Sequence, residues 1–350
     1  MASSGLQPAK GIRLKELGNT GANDEVRNRE RFLFSVHDSS SIIHYLDLTV
    51  IIPTKNRPAA LERAVASVLR QNPPPRQLVI VDQSVTEESR ERALRLVAAS
   101  LSSAPVAIRL DYIRDPTLTG LTAARNRSLQ VAHGDICLFL DDDVELECGF
   151  LAEILEVYAR HPEVMGVSGV VANYPPPPPL YRLWRVLFFR GPFHDDRQLV
   201  YWNAHRSRGG EPVAVTRLGG GLMSFRKEAF RGLAFDEHML DAGFGEDVDF
   251  CMRLPAGSLL MITPRARLIH HRSPAGRPAI HPLRDEAYAA HFLYRKHWDQ
   301  GLKNRLSFAW INAGMALAAT LASLRRRSLE PWRGLLAGTR DAHSADKGLS

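Results

Sequence analysis

Between residues 46 and 143 short apolar runs alternate with segments of helical period, and this alternation constrains the fold more than any other feature of the chain. LDLTVIIP (46–53) is β-branched and closes on Pro53. After a proline start, Leu61, Ala64, Val65, Val68 and Leu69 then recur at helical spacing. QLVIVDQS (77–84) reads as a second strand, ESRERALRLVAAS (88–100) as a second helix and AIRLDYIRD (107–115) as a third strand. LTAARNRSLQVA (121–132), entered through Gly120, predicts a third helix, and DICLFLDDD (135–143) a fourth strand. Strands and helices alternating at this spacing imply βαβ units and a doubly wound, mostly parallel sheet flanked by helices. Such sheets bind ligands outside the carboxyl ends of their strands. Three of those ends carry polar or acidic residues: Thr54 to Arg57, Asp82, and Asp141 to Asp143.

The last of these is the sharpest signal. DICLFL is apolar, as expected of a strand buried on both faces, and it ends in Asp141, Asp142 and Asp143. Like charges so close repel, and burying them unpaired is costly. An isolated DDD is an ordinary solvated turn. At the functional edge of a sheet, a hard divalent cation such as Mn²⁺ or Mg²⁺ accounts for it better, because these ions take oxygen ligands and share them with substrate phosphates.

Beyond residue 146 the pattern loosens. FLAEILEVYARH (150–161) predicts a helix and VMGVSGVVANYP (164–175) a strand, after which five prolines in a row, 175–179, enforce an extended linker. Residues 180–212 mix aromatics with Arg and His without a clean period, which predicts a mobile excursion or lid. Regular signals resume at RLGGGLMSFRKEAF (217–230), FDEHMLDAGFGEDVDFCMRL (235–254) and RARLIHH (265–271). Residues 1–45 are polar and aperiodic over most of their length, as in a flexible extension.

The tail contains FAWINAGMALAATLASL (308–324), short of the roughly 20 residues that span a bilayer and interrupted by Asn312. Lys303, Arg305 and Arg325 to Arg327 flank it. With Trp310, these favour a helix lying in a membrane interface over a packed or oligomerising helix or a span. The net charge of +7, from 45 Lys and Arg against 38 Asp and Glu, is too mild to choose among nucleic acid, phosphorylated ligands and anionic membrane. Nucleic acid would want a basic stripe with stacking aromatics, which only residues 181–208 approach, so none is expected as a partner. Cys137, Cys148 and Cys251 form no CxxC, which predicts free thiols in a reducing compartment. No secretory pattern is visible in the first thirty residues, so the expected location is the cytoplasm, peripheral on the inner face of the cell membrane if the tail binds there.

Five blocks, in this order, carry a resemblance: TVIIPTKNRPAALERAVASVLRQ, VIVDQS, GLTAARNRSLQVAHGDICLFLDDDVEL, GGGLMSFRKEAF and GFGEDVDFCMRL. They resemble family 2 glycosyltransferases of GT-A fold over about residues 47–275. The resemblance implies a GT-A domain over 46–275, with 46–145 as its nucleotide-sugar half and 146–275 as its acceptor half, followed by a helical tail over 276–350. It implies a metal-dependent, inverting transfer of a sugar from a nucleoside diphosphate sugar to an acceptor hydroxyl. A glycan or lipid-linked acceptor is expected, in cell-surface polysaccharide or glycolipid synthesis.

Residue by residue, the resemblance sets Pro53, Thr54, Lys55, Asn56 and Arg57 along the nucleotide and has Asp82 accept a hydrogen bond from its base. It sets Gly120, Arg125 and Asn126 beside the sugar and diphosphate, where a guanidinium suits phosphate geometry. Asp141 would contact ribose or sugar and the cation would lie on Asp143, Asp141 and His270, a better match than His271, with Asp142 open to either job. Gly220 and Gly221, after Gly219, would let the acceptor and donor sugar approach the backbone. Inversion needs a carboxylate opposite the leaving diphosphate to take the proton of the incoming hydroxyl. Asp247 of GEDVDF fills that role in the resemblance, with Glu246 next and also facing the acceptor. Acids also favour helix starts, and the two readings are compatible.

The prolines and the stretch 181–208 have no counterpart in the family pattern. Two other readings stand beside this one. A sugar-phosphate nucleotidyltransferase would want a glycine-rich phosphate loop after the first strand, and PTKNR has no glycine. A non-catalytic GT-A-like glycan-binding module would have lost Asp143 or Asp247.

Overall fold

All seven residues of Leu48–Thr54 (β1) are buried, as a strand without a polar face must be when helices cover both sides of its sheet. The computed structural model describes residues 46–101, 108–203, 209–239, 245–272 and 282–346, so the extension expected over 1–45 lies outside the described residues. Gln77–Asp82 (β2), Arg109–Arg114 (β3) and Ile136–Phe139 (β4) complete a parallel unit, with β1 paired to β2 and β4, and β3 outside β2. Pro58–Leu69 (α1), Glu88–Leu101 (α2) and Leu121–Leu129 (α3) make the crossovers. Successive strand residues point to opposite faces. Val50, Ile52 and Ile80 therefore pack with Leu61 and Val65 of α1, while Ile51, Val79 and Phe139 pack with Ala124 of α3.

The chain then turns at the acids into Val144–Leu146 (β5), followed by Phe150–Arg160 (α4) and Val164–Val171 (β6). Val213–Val215 (β7), Met223–Arg226 (β8) and Leu259–His270 (β9) complete a nine-stranded sheet of order β3-β2-β1-β4-β8-β6-β9-β5, with β7 on β9. The sheet is parallel where the βαβ pattern predicts it and mixed beyond β4. There β8 runs antiparallel to both β4 and β6, while β9 runs parallel to β6 and antiparallel to β5. The β5–β9 register sets Val144 opposite His270, which brings the end of the acidic run to the end of RARLIH.

The described residues of the stretch expected to be a mobile excursion or lid, 180–203 and 209–212, include two helices. Pro179–Phe188 (α5) starts on a proline, and Arg197–Asn203 (α6) follows a short turn. Phe188, Phe189 and Phe193 are buried in a cluster with Tyr294, Ile311 and Met315. The period was hidden because the apolar residues of α5 are divided between an inward set and an outward set, so no single core stripe marks the helix.

Glu246–Arg253 (α7), Pro282–His297 (α8), Leu302–Arg326 (α9) and Glu330–Asp346 (α10) are the last helices. By length and composition α9 is apolar enough to cross a membrane, with mean hydropathy 1.4. Ile311, Met315 and Ala319 on one side of it are nevertheless buried in the fold, and Asn312 is bonded to His291 at 2.9 Å.

Helices α7 and α8 are joined through Asp249, which is fully buried and lies 2.7 Å from each of Arg253, Lys296 and His297. Burial alone would raise its carboxyl, but these three partners outweigh that and hold it below the usual carboxylate range. Asp249→Ala removes a buried carboxylate that three half-buried partners share, Lys296 keeping Asp236 and Arg253 the Ala234 carbonyl, and is expected to cost about 1.5–3 kcal/mol of stability, read as a lower denaturant midpoint.

Candidate active site

At the end of β4 the chain carries three carboxylates with different surroundings. Asp142 is buried and accepts hydrogen bonds from the Thr54 hydroxyl at 2.7 Å and Arg57 Nη1 at 2.8 Å. Burial pushes its carboxyl up to about 6, against the pull of Arg57 and Thr54. Asp142 therefore ties the ends of β1 and β4 together. Asp143 is also buried, with Oδ1 2.9 Å from His270 Nε2 and its backbone carbonyl accepting from the His271 N–H at 2.9 Å. The other ring nitrogen of His270 meets the Tyr174 hydroxyl, and its backbone exchanges two hydrogen bonds of 3.0 Å with the Asn173 side chain.

Ligand atoms of Asp141, Asp143 and His270 all lie within 4.8 Å of one another. Two carboxylates and an imidazole fit a divalent cation of the Mn²⁺ type. Tyr174, placed on Nδ1, is the outer partner that a ligating imidazole commonly has. His271 turns instead to Glu145, at 3.1 Å.

A second acidic pair opens α7. Gly245 adopts φ 93°, a left-handed conformation that glycine takes at little cost, and so swings Glu246 and Asp247 into the first turn. Glu246 is buried, and Arg125 Nη1 donates to its Oε1 at 2.9 Å. Burial and the neighbouring Asp247 raise its carboxyl, while Arg125 opposes them. Among the described residues its buried Oε2 has no hydrogen-bond partner. Asp247 Oδ2 accepts from the Gly220 N–H at 3.0 Å and from Arg197 Nη1 at 3.2 Å. Arg197 is itself gripped by both oxygens of Asp195, at 2.9 and 3.1 Å, and also donates to the Leu218 carbonyl.

Gly220 and Gly221 bring the two acidic groups together. A Cβ on Gly221 would come within 2.7 Å of Asp141 Oδ2, and one on Gly220 within 2.7 Å of Glu246 Oε1. The two glycines are thus a bare backbone ridge between carboxylates that lie more than 100 residues apart in sequence. Asp141, Glu246 and Asp247 line one cleft of about 360 Å³ with Arg125, Arg197 and Arg217.

Other expected donor residues are placed differently. Pro53 is buried within β1, whereas Lys55 and Asn56 are exposed after it. The Asn56 N–H donates to the Ser84 hydroxyl at 2.7 Å. Asp82 is fully buried, accepting from the Tyr112 hydroxyl at 2.6 Å and the Ser84 N–H at 2.8 Å. Gly120 shapes the entry to α3 with φ 90°. Arg125 bonds Glu246 and the Gly220 carbonyl rather than standing free for a diphosphate. Asn126 faces away from the cleft, bonded to the Phe235 backbone and Glu237. Sequence reasoning missed Arg197 and Asp195, for which no local signal exists. It also missed Tyr174, whose place just beyond the end of β6 was the available clue.

This is a GT-A fold. The family described as "Glycosyl transferase family 2" matches residues 49–230, more than half of the chain, and the protein belongs to that family. It is similar to the O-antigen biosynthesis protein RfbC of Myxococcus xanthus, 27% identical over 80% of this chain and 21% of that protein. It is also similar to the putative colanic acid biosynthesis glycosyl transferase WcaA of Escherichia coli K12, 33% identical over 28% of this chain and 33% of that one. The chain thus spans a third or less of the length of these curated relatives. Among solved structures, the mannosyltransferase PcManGT from Pyrobaculum calidifontis, in complex with GDP-Man and Mn²⁺, aligns with a TM-score of 0.52 and 19% identity, covering 86% of this chain and 87% of that one. Residues 1–349 of S. aureus TarS, in complex with UDP-GlcNAc, align with a TM-score of 0.54 and 15% identity, covering 86% and 81%.

Proposed function

We propose that the protein is a divalent-cation-dependent, inverting glycosyltransferase that moves a sugar from a nucleoside diphosphate sugar to an acceptor hydroxyl. The observation that carries this reading is the meeting of Asp141, Glu246 and Asp247 across Gly220 and Gly221 in one cleft. Asp143, Asp141 and His270 would hold the cation, which when bound would neutralise the charge of the leaving diphosphate. Asp247 takes the proton of the acceptor hydroxyl, its carboxylate oriented by the Gly220 N–H and Arg197. The open Oε2 of Glu246 suits a hydrogen bond from a sugar hydroxyl.

The sugar nucleotides in the PcManGT and TarS complexes support the donor class. The names of RfbC and WcaA support a role in cell-surface glycan synthesis. The acceptor is a glycan or a lipid-linked glycan precursor, reached from the cytoplasmic side with peripheral membrane contact through residues 303–327.

A thermal-shift panel of nucleoside diphosphate sugars, with Mn²⁺, Mg²⁺ or chelator, tests the reading. A ligand at about 100 times its Kd stabilises the folded state by about 2.7 kcal/mol, which raises Tm by several degrees. The cognate donor is expected to do so only with the cation present. A panel in which no sugar nucleotide shifts Tm overturns the proposal.

A further inference from the structure

Helix α9 is 25 residues long, about 37 Å at the usual rise per residue. Leu302, Leu306, Trp310, Leu317, Leu321 and Leu324 are exposed along one side of it, Leu306 by 62% and Leu324 by 72%. Helix α5 lies against it: Trp310 Nε1 donates to the Leu187 carbonyl at 2.9 Å, and the Phe188 ring stacks on Trp310 with centroids 5.1 Å apart. Helix α5 adds Leu180, Leu183, Val186 and Leu187 to the same surface, Leu183 being 63% exposed. Scattered exposed leucines are ordinary, but a contiguous apolar surface carried by two helices marks a docking face.

The charges around this surface choose its partner. Residues 300–329 contain Lys303, Arg305, Arg325, Arg326 and Arg327 and no acid, and residues 175–194 contain three arginines and no acid. Arg185 turns inward to Glu286 and Arg326 pairs with Glu330, while Arg190, Lys303, Arg305, Arg325 and Arg327 remain exposed on the rim. A second copy of the chain would set this positive rim against itself. An anionic lipid surface complements it. The buried side of α9 keeps the helix in the plane of the surface rather than across it.

We infer that α5 and α9 together form a docking face for an anionic bilayer, α5 being half of a surface so far ascribed to residues 303–327 alone. The inner sides of the same helices, through Arg185, Phe189 and Ile311, wall the cleft that holds Asp247. Docking therefore keeps the cleft about one helix diameter, some 10 Å, from the lipid, where an acceptor anchored in the bilayer can reach it. This last step rests on the proposed transferase reading; the surface itself does not.

The full chain is sedimented with vesicles of phosphatidylcholine alone or mixed with phosphatidylglycerol, at low and high salt. Binding is expected to be at least about tenfold stronger to the anionic vesicles and to weaken with salt. The variant Leu183→Glu/Leu306→Glu/Leu317→Glu should lose binding with an unchanged Tm. Arg190→Gln/Lys303→Gln/Arg305→Gln/Arg325→Gln should bind both vesicles alike. Absence of binding by the native chain, or full binding by the leucine variant, overturns the inference. So does a lipid-free dimer that the leucine variant disrupts, since a second copy would then be the occupant. None of these readouts uses a sugar nucleotide, so a failed donor panel and a failed vesicle assay remain distinct results.

Discussion

Asp247→Asn is expected to lower sugar transfer by about 10²–10⁴-fold, the usual worth of a positioned general base, while donor binding stays near the native level. The amide keeps the shape of the carboxylate, and its oxygen can still accept from the Gly220 N–H and Arg197, which hold Asp247 at 3.0 and 3.2 Å. What disappears is the capacity to take a proton. Rate and donor affinity, measured on the same variant, separate these effects. Transfer at the native rate would remove Asp247 from the role and leave Glu246 as the remaining carboxylate of the pair. Glu246 keeps one oxygen on Arg125, and the other has no hydrogen-bond partner among the described residues.

Asp143→Ala is expected to abolish cation-dependent donor binding altogether. Asp143 is buried and lies 2.9 Å from His270 Nε2, so in the proposed site its loss removes one of the three groups that would hold the cation. The strand ends should hold, because Arg57 retains Asp142 at 2.8 Å. The donor-induced rise in Tm expected of the native chain with Mn²⁺ should therefore vanish in a protein that still unfolds cooperatively. Donor titrations of the variant that still differ between metal and chelator would take Asp143 out of the cation site.

The parallel half of the fold could be read from the chain because three of its four strands, β1, β2 and β4, are buried along their whole length and helical segments separate them. DICLFL pointed to a buried strand, and a buried strand ending in carboxylates pointed to the functional edge. GEDVDF was legible for a related reason, since a glycine followed by acids both starts a helix and presents charge. The antiparallel insertion of β8 was not legible, because four residues, MSFR, pair according to neighbours that are remote in sequence. Residue type also failed to give direction. Asp82, Arg125 and Asn126 are chemically suited to a nucleotide sugar, yet all three are engaged in internal hydrogen bonds, Asp82 and Arg125 in buried ones. Conversely, Arg197 gains its meaning only from being folded against Asp247, 50 positions further on.

The glycine ridge has a consequence for how such a site can change. With no side chain at 220 or 221, the span between Asp141 and Glu246 is bridged by main-chain atoms, and a single methyl group at either position would collide with a carboxylate. The walls of the cleft, built from α5, α6 and the tail helices, carry no such restriction. Preference for one sugar or one acceptor can thus drift through the walls while the hand-over distance stays constant.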